Sequence, residues 1–194
     1  MKTSLRLAFT LMLPLLAACM STPTEPGDAP DEAWSDGADR APDAQTLHSM
    51  ARLYAAQGRD ADAEIALRSL VSNTPDFTPA YEELARLYVR RDQLDGAIVA
   101  LTVGLEHAPN DAVLHNDLGV CHLLAKDPVS AAAAFIRAAA LAPDDARPRG
   151  NLALSLALQG RLDEALALWQ QILPPAEARK NLDLAVKGKL RPGV

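Results

Sequence analysis

The feature that most constrains this chain is a period of 34 residues. Tyr54, Tyr88, His122 and Leu156 stand that far apart, as do Ala63, Ala97, Ala131 and Ala165. Leu67, Leu101, Phe135 and Trp169 repeat the spacing, and Pro75, Pro109 and Pro143 mark three unit ends. No insertion breaks the register over more than 120 residues. Such self-similarity is the signature of a repeat architecture, in which each unit contacts only its neighbours. Composition names the kind of unit. The 194 residues are 49% hydrophobic but only 4% aromatic, so alanine and leucine must fill the core. That composition favours packed helices over a β-sandwich, within one domain or two at most.

Within each unit an apolar residue precedes a small one: Met50-Ala51, Leu84-Ala85, Leu118-Gly119 and Leu152-Ala153. Three residues later comes the bulky series that begins at Tyr54. Small residues let paired helices approach, and bulky ones fill the space between pairs. With these residues the chain resembles the tetratricopeptide repeat (TPR) family over about residues 44–177. The resemblance implies an all-α fold, a TPR α-solenoid of about four helix–turn–helix repeats. Gly58 and Gly160 fit the turns, with Asp92-Gln93 and Lys126-Asp127 in the middle units. The fourth unit has Glu177 where a terminal proline is expected, and Pro174-Pro175 slightly earlier. Asp43, Asp76, Asp111 and Asp144 or Asp145 are expected to cap the first helices. Pro79 and Pro148 suit a first helical turn. Residues 176–187 read as an amphipathic helix that caps the last apolar face. Lys187 to Val194 read as a frayed basic tail, which bounds the repeat domain at 44–187 and the tail at 188–194.

The N-terminus reads as an address. Lys2 and Arg6 precede an apolar stretch, Leu7 to Leu16, too short to span a bilayer. It ends in Leu16-Ala17-Ala18-Cys19, which resembles the lipobox of bacterial lipoproteins. The resemblance implies a signal peptide over 1–18, removed on processing, and acylation of Cys19, palmitate included. Two or more acyl chains hold a protein stably on a membrane. Met20 rather than Asp after the cysteine implies the outer membrane, facing the periplasm. Residues 19–43 then form the lipidated cysteine and a tether. Ser21 to Asp43 carries four prolines, seven acids and one base, with Trp34 its one large apolar side chain. Such a segment does not bury enough apolar surface to order itself.

Nothing in the sequence suggests an enzyme. There is no HExxH, no glycine-rich phosphate loop and no CxxC. His115 and His122 occupy positions held by Tyr81 and Tyr88 one unit earlier, so packing explains them. His122 beside Cys121 would point about 100° away from it on a helix, and a zinc site wants four ligands. No metal or cofactor is expected. Cys121 reads as a buried, inert thiol, with an intermolecular disulfide as the alternative. A net charge of −6 argues against nucleic acid, and no small-molecule substrate is expected.

In the family this chain resembles, the first helices of successive repeats line a groove that holds a peptide or a partner helix. Carried over, the groove positions are His48, Arg52 and Ala56, then Glu82, Arg86, Val89 and Arg90. The third unit adds Asn116, Val120, Leu123 and Leu124; the fourth adds Gly150, Leu154, Ala157 and Leu158. Arg52, Arg86 and Arg90 make one half basic, while Val120, Leu124, Leu154 and Leu158 make the other apolar. The expected partner is a protein segment with acidic residues at one end and aliphatic ones at the other. Two alternatives stand beside this: the apolar positions pack under the capping helix, and the arginines pair with Glu82 and Glu83. The lysine–asparagine clamp of chaperone-binding TPR proteins is missing. The resulting expectation is a membrane-anchored scaffold that assists assembly of an envelope complex. A pilus or secretion system of the TadD or pilotin type is one instance. An adaptor for cell-wall enzymes or outer-membrane protein assembly has the same signature, and an enzyme with an unrecognised site is the third class.

Overall fold

A computed structural model describes residues 42–193. The lipobox with Cys19, and the tether through residue 41, lie outside the described residues. Among the described residues nine α-helices follow in order: α1 Ala44–Ala56, α2 Asp60–Asn73, α3 Pro79–Arg90, α4 Leu94–His107, α5 Ala112–Leu124, α6 Pro128–Leu141, α7 Ala146–Leu158, α8 Leu162–Ile172 and α9 Pro175–Val186. They pair antiparallel as α1/α2, α3/α4, α5/α6 and α7/α8. Each helix packs on the next, and the first helices α1, α3, α5 and α7 also touch one another in sequence. The second helices have no such mutual contacts among the described residues. The layer in closer contact forms the inner face, so α1, α3, α5 and α7 line it.

Helix starts follow local chemistry. Asp43 accepts from the Thr46 amide at 2.7 Å, Asp111 from Val113 and Leu114 at 2.9 and 3.1 Å, and Asp145 from Arg147 at 2.9 Å. These side chains satisfy amide groups that no helical carbonyl reaches. Asp127 caps α6 in the same way, through Val129 and Ser130. Asp76, expected as a cap, is not one. Thr78 occupies that position with helical dihedrals and no side-chain bond, because Pro79 at the first turn has already removed a donor. The inter-helix turns share one conformation. Gly58 and Gly160 have φ of +73° and +81°, and the equivalent Asp92 and Lys126 have 58° and 63°. The turn geometry therefore demands a left-handed residue in all four units, and only two use glycine.

The core is a row of small-against-large contacts. Ala51 packs in one cluster with Leu67, Ala85 with Leu101, and Ala153 with Trp169, all buried. Gly119 faces Phe135, which is fully buried. A Cβ on Gly119 would stand 2.5 Å from Phe135 Cε1 and 2.7 Å from Cδ1. Phe135 is larger than leucine, and glycine in place of alanine makes room for it.

The fourth unit ends early. α8 stops at Ile172, Leu173 is extended, and α9 starts at Pro175. The residue before a proline avoids the helical region, so Pro174 ends α8 and Pro175 sits well at the first turn of α9. α9 packs on both α7 and α8, and Ala178 and Ala185 are buried in the α7/α8 cluster. The segment after it does not fray. Gly188 (φ +65°) reverses the chain, its amide donating to Ala185 O at 2.9 Å and that of Lys189 to Leu184 O at 2.8 Å. This paired closure is a Schellman motif.

Gly119→Ala should destabilise the fold by about 1–3 kcal/mol through overpacking. Gly58→Ala, where nothing lies within 4 Å of the added methyl, should cost only the left-handed backbone, about 1 kcal/mol. Denaturant midpoints of the two variants against the parent check both values; no loss of stability in Gly119→Ala would contradict the helix-pair contact.

Candidate protein-binding groove

The inner face begins at α1 and α3 with charge. Arg86 spans two carboxylates, with Nη2 3.2 Å from Glu82 Oε2 and Nη1 3.2 Å from Glu83 Oε1. Arg52 Nε lies 3.7 Å from Glu83, and Arg90 Nη2 lies 3.2 Å from Asp60 Oδ1 on α2. The expected basic half is therefore not basic. Each of the three arginines already holds a carboxylate, two of them at helical i, i+3 and i, i+4 spacing to Arg86. The acids are the more buried partners: Glu82 and Glu83 side chains are 18% and 19% exposed, against 53% for Arg86. His48 is buried, its Nε2 has no hydrogen-bond partner, and its ring meets Phe77 edge-on at 5.3 Å. Burial lowers its pKa, which keeps the imidazole neutral near pH 7.

In the middle, Asp117 on α5 sits close to this group. Burial raises the Asp117 carboxyl; the Arg86 and Arg147 charges and a 3.4 Å bond from Asn116 oppose that without cancelling it. Burial and the Asp117 charge also raise Glu82. Asn116 Oδ1 accepts from Asn151 Nδ2 at 3.0 Å, so the two amides link α5 to α7. Toward α7 the face becomes apolar. Val120 and Leu154 are buried, Leu124 is half-buried and Leu158 is 48% exposed.

Leu154 belongs to a cluster that includes Ala178 and Ala185 of α9, with Leu182 and Leu190 packed against it. The alternative that the apolar end packs under the capping helix thus holds for Leu154. Leu124 and Leu158, with the edge of Leu154, line a cavity of about 460 Å³ bordered by Leu190 and Pro192. Ala85, Arg86, Val89, Val120, Cys121 and Leu124 line a second, of about 500 Å³. Cys121 is a free, buried thiol pushed up to about 12 by burial and by Asp117, so it is held as the inert thiol at neutral pH. Among the described residues no three His, Cys, Asp or Glu side chains gather as a metal site, and no helix is long and apolar enough to cross a membrane.

Sequence reasoning missed Asn151 and Asp117. Each lies one residue beyond a position that was singled out, Gly150 and Asn116. Ser49, Glu83, Asp117 and Asn151 are equivalent in the 34-residue frame, so the signal was present.

A tetratricopeptide repeat family model matches residues 44–87, and another matches residues 149–174. The described fold is a TPR solenoid. Over 76 residues the chain is 32% identical to human interferon-induced protein with tetratricopeptide repeats 2, a match that spans 39% of this chain and 16% of that one. The TPR fold recurs in TTC0263, a TPR protein of Thermus thermophilus, with a TM-score of 0.60 and 26% identity over 80% of this chain and 86% of that one. It recurs in YrrB, described as a TPR protein with an unusual peptide-binding site, with a TM-score of 0.61 and 22% identity over 76% and 79%.

The raised Asp117 carboxyl sets a pH dependence. For an acid whose folded pKa exceeds its unfolded value, stability falls as pH rises from the unfolded value, 3.8, through the folded one. Asp117→Asn should therefore raise Tm relative to the parent at pH 7, with the difference shrinking toward pH 4. A constant difference across that range would show that the carboxyl titrates normally.

Proposed function

We propose that this chain is a lipid-anchored scaffold that binds extended protein segments on the inner face of its TPR array. The observation that carries the reading is the seat already built there. The Asn151 amide bonds both the N–H and the C=O of one residue, Gly193, in an extended segment. Asn151 and Gly193 themselves line a cavity of about 180 Å³, and the preceding Arg191 and Pro192 border an apolar one of about 500 Å³ between α3 and α5. An amide that reads a backbone rather than a side chain suits a peptide of any sequence, and flanking apolar pockets supply preference. The peptide-binding site named for YrrB accords with this reading. The partner's apolar residues would meet Val89, Val120 and Leu124. The partner needs no acidic end, because Arg52, Arg86 and Arg90 each have a carboxylate of this chain within 3.7 Å.

The anchor we propose is Cys19, on the strength of Leu16-Ala17-Ala18-Cys19, with the outer membrane as its site because Met20 follows. In that position the scaffold would serve assembly of an envelope complex, a pilus or secretion system among them. A tether of about 24 residues reaches roughly 80 Å when stretched, so the groove would search well away from the membrane surface.

A photocrosslinking residue at Val89 in living cells should form an adduct with an envelope protein, and Leu124→Asp should remove most of it. Crosslinks from exposed Ile65 on α2 with none from Val89 would place the partner on the outer face instead. Cys19→Ser should move the protein to the soluble fraction. Retention on membranes after a carbonate wash would show that the anchor lies elsewhere.

A further inference from the structure

The segment that follows α9 is directed onto the groove by three separate features. The Schellman closure at Gly188 turns it back at a fixed angle, and the Leu190 amide adds a 3.3 Å bond to Leu184 O. Leu190 then packs on the cluster that contains Leu154 and Trp169. Arg191 and Pro192 reach the rim of the larger cavity, and Gly193 ends in the two bonds to Asn151, its own amide donating to Oδ1 at 2.7 Å. The Asn116 bond to Asn151 holds that amide in the orientation which presents both groups. A leucine, a proline two residues on and a glycine after it thus occupy the α5–α7 half of the inner face. The α3–α5 half is reached only at its rim, by Arg191 and Pro192.

We propose that residues 188–193 are a displaceable occupant of the groove and that the partner carries the same pattern: an extended segment with an aliphatic residue, a proline two residues later and a small residue next. The inference rests on the groove reading above. The occupant's footing is one aliphatic side chain and one amide pair. Arg191 makes no ion pair among the described contacts. A partner segment that repeats those contacts and also fills the cavity between Ala85, Val89, Val120 and Leu124, which Arg191 and Pro192 only border, gains that surface as well. Tethering sets the effective concentration of the occupant at the order of millimolar, so only a segment with those added contacts displaces it. The groove therefore rejects weak apolar peptides while at rest.

The test uses the full chain and a fluorescein-labelled peptide of residues 188–194, read by fluorescence anisotropy. The parent protein should bind it poorly. Leu190→Asp and Gly193→Pro, both outside the nine helices, should each bind it at least about tenfold more tightly, because a competitor held at the order of millimolar has been released. Adding Asn151→Leu to Leu190→Asp should reverse the gain. Equal affinity of parent and both variants would overturn the inference, as would no binding by any of them. A concentration-dependent dimer of the parent, lost in Leu190→Asp, would assign the occupant to a second copy and overturn it too. Crosslinking from Val89, in the cavity that the segment borders but does not fill, reports on the groove whichever result is found. Hydrogen exchange is a second readout: the Gly193 amide should be protected in the parent and exposed in Asn151→Leu.

Discussion

Everything in this array depends on the contact between a small residue on each first helix and a large one on its partner. Ala51, Ala85, Gly119 and Ala153 face Leu67, Leu101, Phe135 and Trp169. That pair sets the separation of the two layers, and the separation sets how closely the first helices meet one another. Where the large partner grows, the small one shrinks or the cluster widens. Gly119 answers Phe135 by losing its side chain, while Trp169 is accommodated in the terminal cluster beneath α9. Because packing is close to crystalline density, the dimensions of the inner face follow from these four contacts.

Charge is distributed along the array as unevenly as volume. Between the first two units, Glu64 receives Arg68 at 2.9 Å, Tyr88 Oη at 3.0 Å, and Arg91. Burial would raise its carboxyl, yet the Arg91 and Tyr88 hydrogen bonds and the Arg68 charge hold it below the ordinary range. The residues equivalent to Tyr88 in later units are His122 and Leu156, and this seam has no counterpart there. Asp117 has the opposite balance, with more burial than compensation. A carboxylate kept at such a cost beside the groove is weak support for stability.

The parts of the fold legible in the sequence are those that recur. Tyr54 to Leu156 and Ala63 to Ala165 are packing positions between nearest neighbours, and nearest-neighbour packing writes itself at the repeat period. Arg86 with Glu82 and Glu83 was also legible, since partners three and four residues apart share a helix face. Arg90 with Asp60 was not, because the two are 30 residues apart and off the period. The 188–193 segment was misread from its basic, proline- and glycine-containing composition. Gly188 after an amphipathic helix, followed by Leu190, carries the signal of a closure with an apolar anchor. Asn151 escaped notice because its function comes from a single non-repeating contact with Gly193.

The Pro174-Pro175 break determines how an array like this one lengthens. Each upstream unit ends in a 14-residue second helix, then a single proline, and hands over to the next first helix in register. The period would start a fifth first helix near residue 180, yet α9 begins at Pro175 and lies across α7 as well as α8. A duplicated unit spliced in at Pro75, Pro109 or Pro143 meets matching faces on both sides. One appended beyond Ile172 meets a helix already laid across its stacking surface. Duplication is therefore accommodated at the Pro75, Pro109 and Pro143 junctions and blocked on the face that α9 covers.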